Sequence, residues 1–290
     1  MIKNLIKRLK EYYAFVKQSY RNQELEKLNT SAELQRRYAG MTEQSQKSIF
    51  KREEFRAYSQ NGEDGLLLFI FSKIGTTNKT TIEFGVGDGS QCNSANLILN
   101  FGWNGLFMEG SKDAVQRGLN YFKHKGITAL QFKNVFITVE NINQLIADSG
   151  ISGEIDLLNV DIDGNDYWVW QAINNVNPRV VVVEYNSSFG ADRSISVPYA
   201  PDFNRWEKHG SGWYHGASLS ALTKLGNQKG YDLVACDSTG VNAFFVRKDI
   251  NVFKGMSAAE AYYPELKRQL KSKNSNNQLQ SISELPLHEV

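Results

Sequence analysis

The chain has 290 residues, 41% of them hydrophobic, with 33 Lys and Arg against 31 Asp and Glu and a formal net charge of +2. That length supports one large domain with an appendage, and the balanced charge leaves no electrostatic footprint for nucleic acid. Two cysteines, Cys92 and Cys236, are too few for a disulfide framework, no apolar run approaches the roughly 20 residues that cross a bilayer, and no signal-peptide core opens the chain. A cytoplasmic protein with both cysteines as small apolar side chains is expected.

Residues 1–50 show no strand pattern. Ile2, Leu5, Ile6, Leu9, Tyr13, Val16 and Tyr20 recur at helical spacing, and Lys3, Lys7, Arg8, Lys10, Lys17 and Arg21 fill much of the rest. A basic amphipathic helix of this kind can pack on its own domain, pair with a second copy, or lie peripherally on the inner face of a membrane. It is expected as an extension ahead of a domain spanning 51–266.

The polar stretch Ser59-Gln60-Asn61-Gly62-Glu63-Asp64 precedes the apolar run 65–74, as a turn capping a helix would. A strand then runs into Glu83-Phe84-Gly85-Val86-Gly87-Asp88-Gly89-Ser90. An acidic residue inside the strand followed by G-x-G-x-G suits S-adenosylmethionine (SAM): the glycines let the backbone pass close to its amino-acid part, and Glu83 can meet its ammonium. The dinucleotide fingerprint has its third glycine one position later, where this chain has Ser90. A nicotinamide cofactor and a glycine turn holding no ligand are the alternatives.

Residues 92–100 read as the first crossover helix and 104–108 as a second strand, ending at Glu109, where a carboxylate can accept hydrogen bonds from both ribose hydroxyls. A third strand at 128–133 places Asn134 to read an adenine edge. The fourth, at 155–160, runs into Asp161-Ile162-Asp163-Gly164-Asn165-Asp166, and the fifth, at 179–183, into Glu184-Tyr185-Asn186. Continuous rather than alternating hydrophobicity indicates strands covered on both faces. A helix at 217–229 leads to strands at 231–235 and 242–247, whose short connection makes them antiparallel to each other. The expected fold is α/β: a doubly wound, mostly parallel seven-stranded sheet with an antiparallel last strand. From 267 to 290 the chain is rich in Asn, Ser, Lys and Gln and reads as a disordered tail.

Four blocks in this order, Tyr58 to Asp64, Ile82 to Gly89, Gly102 to Glu109 and Leu157 to Gly164, resemble the FkbM-type methyltransferase family across roughly residues 58–247. The resemblance implies a Rossmann-like methyltransferase fold and SAM-dependent O-methylation, often of a sugar or polyketide hydroxyl. It implies that Gln60, Glu83, Gly85, Gly87, Glu109 and Asn134 hold SAM, and Asp161 is assigned to the same set. The run Ile162-Asp163-Gly164-Asn165-Asp166 departs from the Val-Glu-Gly pictured for the family, and Glu184 to Gly190 is distinctive.

Methyl transfer to a hydroxyl is an in-line displacement that must also remove a proton. One solution is general-base catalysis by His215, just before a helix, with Asp163 and Glu184 assisting; the alternative is a structural histidine bonding the helix start. The other is a divalent cation, Mg²⁺ or Mn²⁺, on Asp161, Asp163 and Glu184, all at or beyond carboxyl ends of strands; the bland alternative has the aspartates capping a helix. The long insert 187–214 is expected to form the acceptor pocket, with Asn186, Arg193, Trp213 and Tyr214 on a carbohydrate or glycan-like substrate. Arg205 and Lys208 could hold an anionic group, whereas Phe203 and Trp206 are expected to pack the insert. A non-catalytic SAM-fold scaffold in a glycan assembly complex is the alternative from another class.

Overall fold

The computed structural model describes residues 16, 26–30, 45–265, 268 and 275–290. The amphipathic pattern at residues 2–21 lies outside the described residues, Val16 excepted. In chain order the elements are α1 (Gln46–Glu53), α2 (Glu63–Ile74), β1 (Thr80–Phe84), α3 (Ala95–Phe101), β2 (Asn104–Glu109), α4 (Lys112–His124), β3 (Leu130–Asn134), α5 (Ile142–Ala147), β4 (Gly153–Val160), α6 (Asp166–Ala172) and β5 (Val176–Glu184). After them come a 3₁₀ turn (Ser187–Phe189), β6 (Ile195–Ser196), α7 (Arg205–Lys208), α8 (Leu219–Gln228), β7 (Tyr231–Cys236), β8 (Asn242–Arg247), α9 (Ala258–Ala261), α10 (Ser275–Ser281) and β9 (His288–Glu289).

Seven strands form one sheet in the order β3-β2-β1-β4-β5-β8-β7. The pairs β3·β2, β2·β1, β1·β4 and β4·β5 are parallel, and β8 runs antiparallel to both β5 and β7. This is the doubly wound sheet of the Rossmann-like methyltransferase fold, as expected. Successive residues of the central strands serve opposite faces. Leu158, Val160, Val181 and Val183 pack with Ile142 and Ile146 of α5, Val169 and Trp170 of α6 and Leu222 of α8. Leu157, Val180 and Val182 pack with Leu66, Leu67 and Ile70 of α2, Ala95 and Ile98 of α3 and Phe122 of α4. Burial of each such aliphatic side chain contributes about 1.5–3 kcal/mol.

Two turns at the carboxyl edge are set by single carboxylates. Asp64 Oδ2 accepts from the backbone N–H groups of Ala57, Tyr58 and Ser59 at 2.7–2.8 Å, folding the polar stretch before α2 onto the end of the sheet. Glu83 accepts from the N–H groups of Asn93 and Ser94, both at 2.8 Å. These bonds hold the stretch before α3 as turns, so the helix begins at Ala95, three residues later than the apolar pattern suggests.

The 187–214 insert and the chain's last residues fold together. Phe189, Ile195, Val197, Phe203 and Tyr214 form a small core with Ile282, against which Leu279, Leu285 and Leu287 pack. β9 pairs antiparallel with β6, and Ser188 Oγ bonds the side chain of Gln278 at 2.8 Å. The expectation of a disordered tail fails for 275–290. Its composition is polar, but its few apolar residues supply the surface that the insert needs to cover its own.

Candidate active site

Gly85 follows β1 with φ +68°, and a Cβ there would lie 1.8 Å from the carbonyl oxygen of Asp161. Only glycine lets β1 and β4 end this close together. Gly87 has φ +60° and nothing within 4 Å of a built Cβ, so its backbone borders open space.

That space is a cavity of about 590 Å³ lined by the glycine turn, Gln60, Glu63, Glu83, Asp161, Asp163, Glu184, Arg205, Asn242, Glu265 and Arg268, among others. Seven acidic residues, Glu63, Glu83, Asp88, Asp161, Asp163, Glu184 and Glu265, line it together with two arginines, Arg205 and Arg268. A smaller pocket of about 200 Å³ adjoins it, sharing Gly85, Asp161 and Asp163, with apolar walls from Met108, Val135, Phe136, Ile137, Ile162 and Phe203 and with Glu109 among its lining residues.

Of the residues assigned to the cofactor, Gln60, Glu83, Gly85, Gly87 and Asp161 line the larger cavity, and Glu109 the smaller. Both glutamates are tied to backbone. Glu83 is almost wholly buried at the floor of the cavity, spending its oxygens on Asn93 and Ser94, and burial raises its pKa. Glu109 accepts from Gly87 N–H at 2.8 Å and Ser111 N–H at 2.7 Å, joining the glycine turn to the start of α4. Asn134 departs from its expected role: its amide donates to the carbonyls of Glu109 and Gly110, both at 2.9 Å, so it fastens the chain after β2 rather than facing either pocket.

At the other end, the carboxylates beyond β4 and β5 converge. Asp161, Asp166 and Glu184 each offer an oxygen within 4.8 Å of the others, and oxygens of Asp163 and Glu184 are equally close to each other and to a ring nitrogen of His215. Burial, then repulsion among neighbouring carboxylates, pushes Asp161 and Glu184 well above the usual range. Asp166 is pushed to about 6, chiefly by burial, although its oxygens accept from Ile162 N–H and Gly164 N–H. Asp163 sits at φ +58°, a left-handed conformation uncommon outside glycine, and pairs with Arg205. Gly164 beside it lies flat against Phe203, where a Cβ would come within 2.2 Å of the ring.

His215 does not line the cavity. It is fully buried behind Glu184, with Nδ1 3.5 Å from Glu184 Oε2 and Nε2 2.8 Å from a guanidinium nitrogen of Arg268. Burial, then the charges of Arg268 and Arg205, hold its pKa well below the usual 6.5. The group that meets the cavity is Glu184, and its Oε2 has no hydrogen-bond partner among the described residues. A direct base role for His215 is thereby corrected: the ring can act only through its neighbours.

The expected substrate contacts are also corrected. Asn186 is fully buried; its amide donates to the carbonyls of Trp213 and His215 at 2.6 and 2.8 Å, and its Oδ1 accepts from Ser188 N–H and Arg268. It pins the insert's return to the end of β5. Arg193 pairs with Glu289 at 2.9 Å beside the β6·β9 pair. Tyr214 bonds the carbonyl of Pro286 and, with Trp213, packs in the insert's core. These residues bind the chain's own last segment, which composition alone did not reveal as a partner.

Arg268, Glu265 and Asn242 were missed. Asn242 opens β8, donates to Glu63 at 2.7 Å and keeps a buried, unpartnered Oδ1 among the described residues. Its signal was its place at a strand start on the cavity edge. Arg268 had none, lying in a segment set aside as tail.

Among the described residues, no helix is long and apolar enough to cross a membrane. No protein-family model and no curated protein matches the chain. Among solved structures it is similar to the N-terminal domain of EvdMO1 with S-adenosylhomocysteine (SAH) bound: 14% identity over 70% of this chain and 98% of that one, TM-score 0.42. It is similar to a SAM-dependent methyltransferase from Clostridium acetobutylicum, at 11% identity over 76% and 98%, TM-score 0.41. PKMT2 from Rickettsia typhi, in complex with AdoHcy, is 10% identical over 69% of this chain and 55% of that one, TM-score 0.44. At these scores the likeness adds nothing to what the strand order already shows, which is that the chain has the Rossmann-like methyltransferase fold.

Proposed function

We propose that the protein is a SAM-dependent O-methyltransferase acting on a hydroxyl of a carbohydrate or glycan-like acceptor. The observation that carries this reading is the pairing of an acidic cavity with a small apolar pocket across Gly85. SAM brings a sulfonium and an ammonium, both cations, together with an apolar adenine ring. Carboxylates around the larger space complement the first two, and the walls of Met108, Val135, Ile137 and Phe203 suit the third. The same carboxylates would repel a pyrophosphate, which argues against a nicotinamide dinucleotide.

In this reading Glu63 and Asn242 lie within reach of the ammonium, Glu109 turns from Gly87 to the ribose, and Glu184 takes the acceptor's proton. The balance is simple: the acceptor oxygen bonds to the methyl carbon, the carbon–sulfur bond breaks to leave neutral SAH, and the hydroxyl proton passes to Glu184. His215, held by Arg268, points its own N–H at Glu184 and steadies the carboxylate between turnovers.

A second reading rests on the convergence of Asp161 and Glu184. Asp166 is committed to backbone, Asp163 to Arg205, and His215 Nδ1 carries a proton, so those two carboxylates would be the protein's donors to a Mg²⁺ or Mn²⁺ ion, which would polarise an acceptor oxygen.

Calorimetry with SAM and SAH, followed by SAH release in the presence of neutral saccharides, tests the main reading; absence of SAM affinity in the intact protein would sink it. Chelation by EDTA separates the two readings, since the base route keeps its rate and the metal route loses it. A glycan-assembly scaffold without catalysis would bind SAM and release no SAH with any acceptor.

A further inference from the structure

Phe136 and Trp206 are 57% and 62% exposed, among the most exposed large apolar side chains of the described residues, and they flank one groove of about 520 Å³. An aromatic ring left in water forgoes about 1.5–3 kcal/mol of burial. Trp206 is nevertheless held in place. Its backbone N–H donates to Asn204 Oδ1 at 3.1 Å, and the Arg205 guanidinium lies 5.2 Å from its ring centroid. Gly212, at φ +68°, makes room for the ring, because a Cβ there would come within 2.7 Å of it.

Polar groups surround this platform: Asp202, Asn204 and Glu207 line the same groove. A pyranose needs both features, an aromatic face for its C–H side and carboxylate or amide oxygens for its hydroxyls. An anionic ligand is disfavoured, since Asp163, Asp202 and Glu207 outnumber one arginine that already pairs with Asp163. A protein partner would call for a contiguous apolar patch, and here the two aromatics are interleaved with charge. The groove also continues into the reaction cavity, because Asp163 and Arg205 line both.

We infer that the groove between Phe136 and Trp206 is a saccharide subsite, holding a sugar of an oligosaccharide acceptor next to the one that is methylated. This rests on the reading of the cavity as the methyl-transfer site. It makes the acceptor an extended glycan, with the methylated sugar at Glu184 and the chain leaving past Arg205 toward Trp206.

The test is calorimetric titration of the SAH-loaded full chain with cellotriose, chitotriose and mannotriose, each beside its monosaccharide, for the unchanged protein and for Trp206→Ala and Asp202→Asn. The expected result is at least one trisaccharide binding about tenfold tighter than its monosaccharide, a gain lost in Trp206→Ala and reduced in Asp202→Asn while SAH affinity is unchanged. Failure of SAH to bind overturns the methyl-transfer reading itself. SAH binding with no trisaccharide preference, or a preference that survives Trp206→Ala, overturns the subsite alone. Loss of SAH affinity in Trp206→Ala would assign the groove to the cofactor and overturn it as well.

Discussion

A guanidinium nitrogen of Arg268 lies 2.8 Å from Nε2 of His215, and because a guanidinium only donates, this fixes the imidazole tautomer. The ring's proton sits on Nδ1, facing Glu184 Oε2 at 3.5 Å. The ring stays neutral because its pKa is held far below the usual value, whereas Glu184 is raised by burial and by Asp161, Asp163 and Asp166. A base must be ionised, so the rate should rise with pH through Glu184's raised pKa, giving an acid limb above the ordinary carboxylate range. Replacing His215 with the shorter Asn withdraws the ring N–H that lies 3.5 Å from the charged carboxylate, an electrostatic contact longer than a hydrogen bond, which raises that pKa further and moves the limb to higher pH. Glu184→Gln should lower kcat by roughly 10²–10⁴ with little change in SAM affinity. A pH–rate profile that is the same in His215→Asn and the unchanged protein would contradict this arrangement.

The last segment should be required for methyl transfer but not for cofactor binding. Deleting 275–290 strips Ile282, Leu279 and Leu287 from the core formed by Phe189, Ile195, Val197 and Phe203, and frees β6 from its only strand partner among the described residues. The truncated protein is expected to melt several degrees lower, to retain SAM affinity within a few-fold, and to lose SAH production. Loss of SAM affinity instead would mean that the segment supports the glycine turn.

This segment also marks where the sequence stopped being legible. Strands carrying continuous runs such as Leu157 to Val160 and Val180 to Val183 announce their burial on both faces, and the short link before Asn242 dictates an antiparallel pair, so the sheet could be read directly. The glycine turn was legible for the same local reason, since Gly85 answers a steric demand within one loop. His215, Asn186 and Arg193 were misplaced because their partners, Arg268 and Glu289, are 53 to 96 positions away in the chain. No local pattern encodes such pairings, and Glu83 and Glu109 likewise looked free until backbone N–H groups claimed them.

Gly85→Ala and Gly87→Ala should separate packing from binding. At Gly85 the new Cβ meets the Asp161 carbonyl at 1.8 Å, so β1 and β4 must part, and both melting temperature and SAM affinity should fall, the latter by more than about 100-fold. At Gly87 the Cβ meets nothing within 4 Å, and the cost is that of a left-handed non-glycine residue, about 1–3 kcal/mol. That variant should stay folded while its methyl group narrows the cofactor's approach. Differential scanning fluorimetry paired with calorimetry reads both, and equal effects of the two changes would contradict the contrast.

A second carboxylate cluster makes stability fall with pH. Glu54 accepts from the N–H and hydroxyl of Ser238, both at 2.6 Å, and burial, with the charge of Glu63, raises its pKa to about 7; Asp237 beside it is raised to about 7, by burial and then by Glu63. A carboxyl whose folded pKa lies above its unfolded value holds a proton in the folded chain where the unfolded chain has lost it. Its stabilising contribution is complete below about pH 4 and disappears as pH rises through about 7. At about 1.4 kcal/mol per pKa unit, Glu54 accounts for on the order of 2–3 kcal/mol of decline between pH 4 and pH 8. In Glu54→Gln that titration is absent, and an amide oxygen can still accept from Ser238. Urea unfolding at the two pH values should show the variant losing less stability than the unchanged protein by roughly that amount. The Glu54 charge also helps to raise Asp237, so the variant relieves part of that titration as well and the difference runs in the same direction; parallel losses would place the pH sensitivity elsewhere.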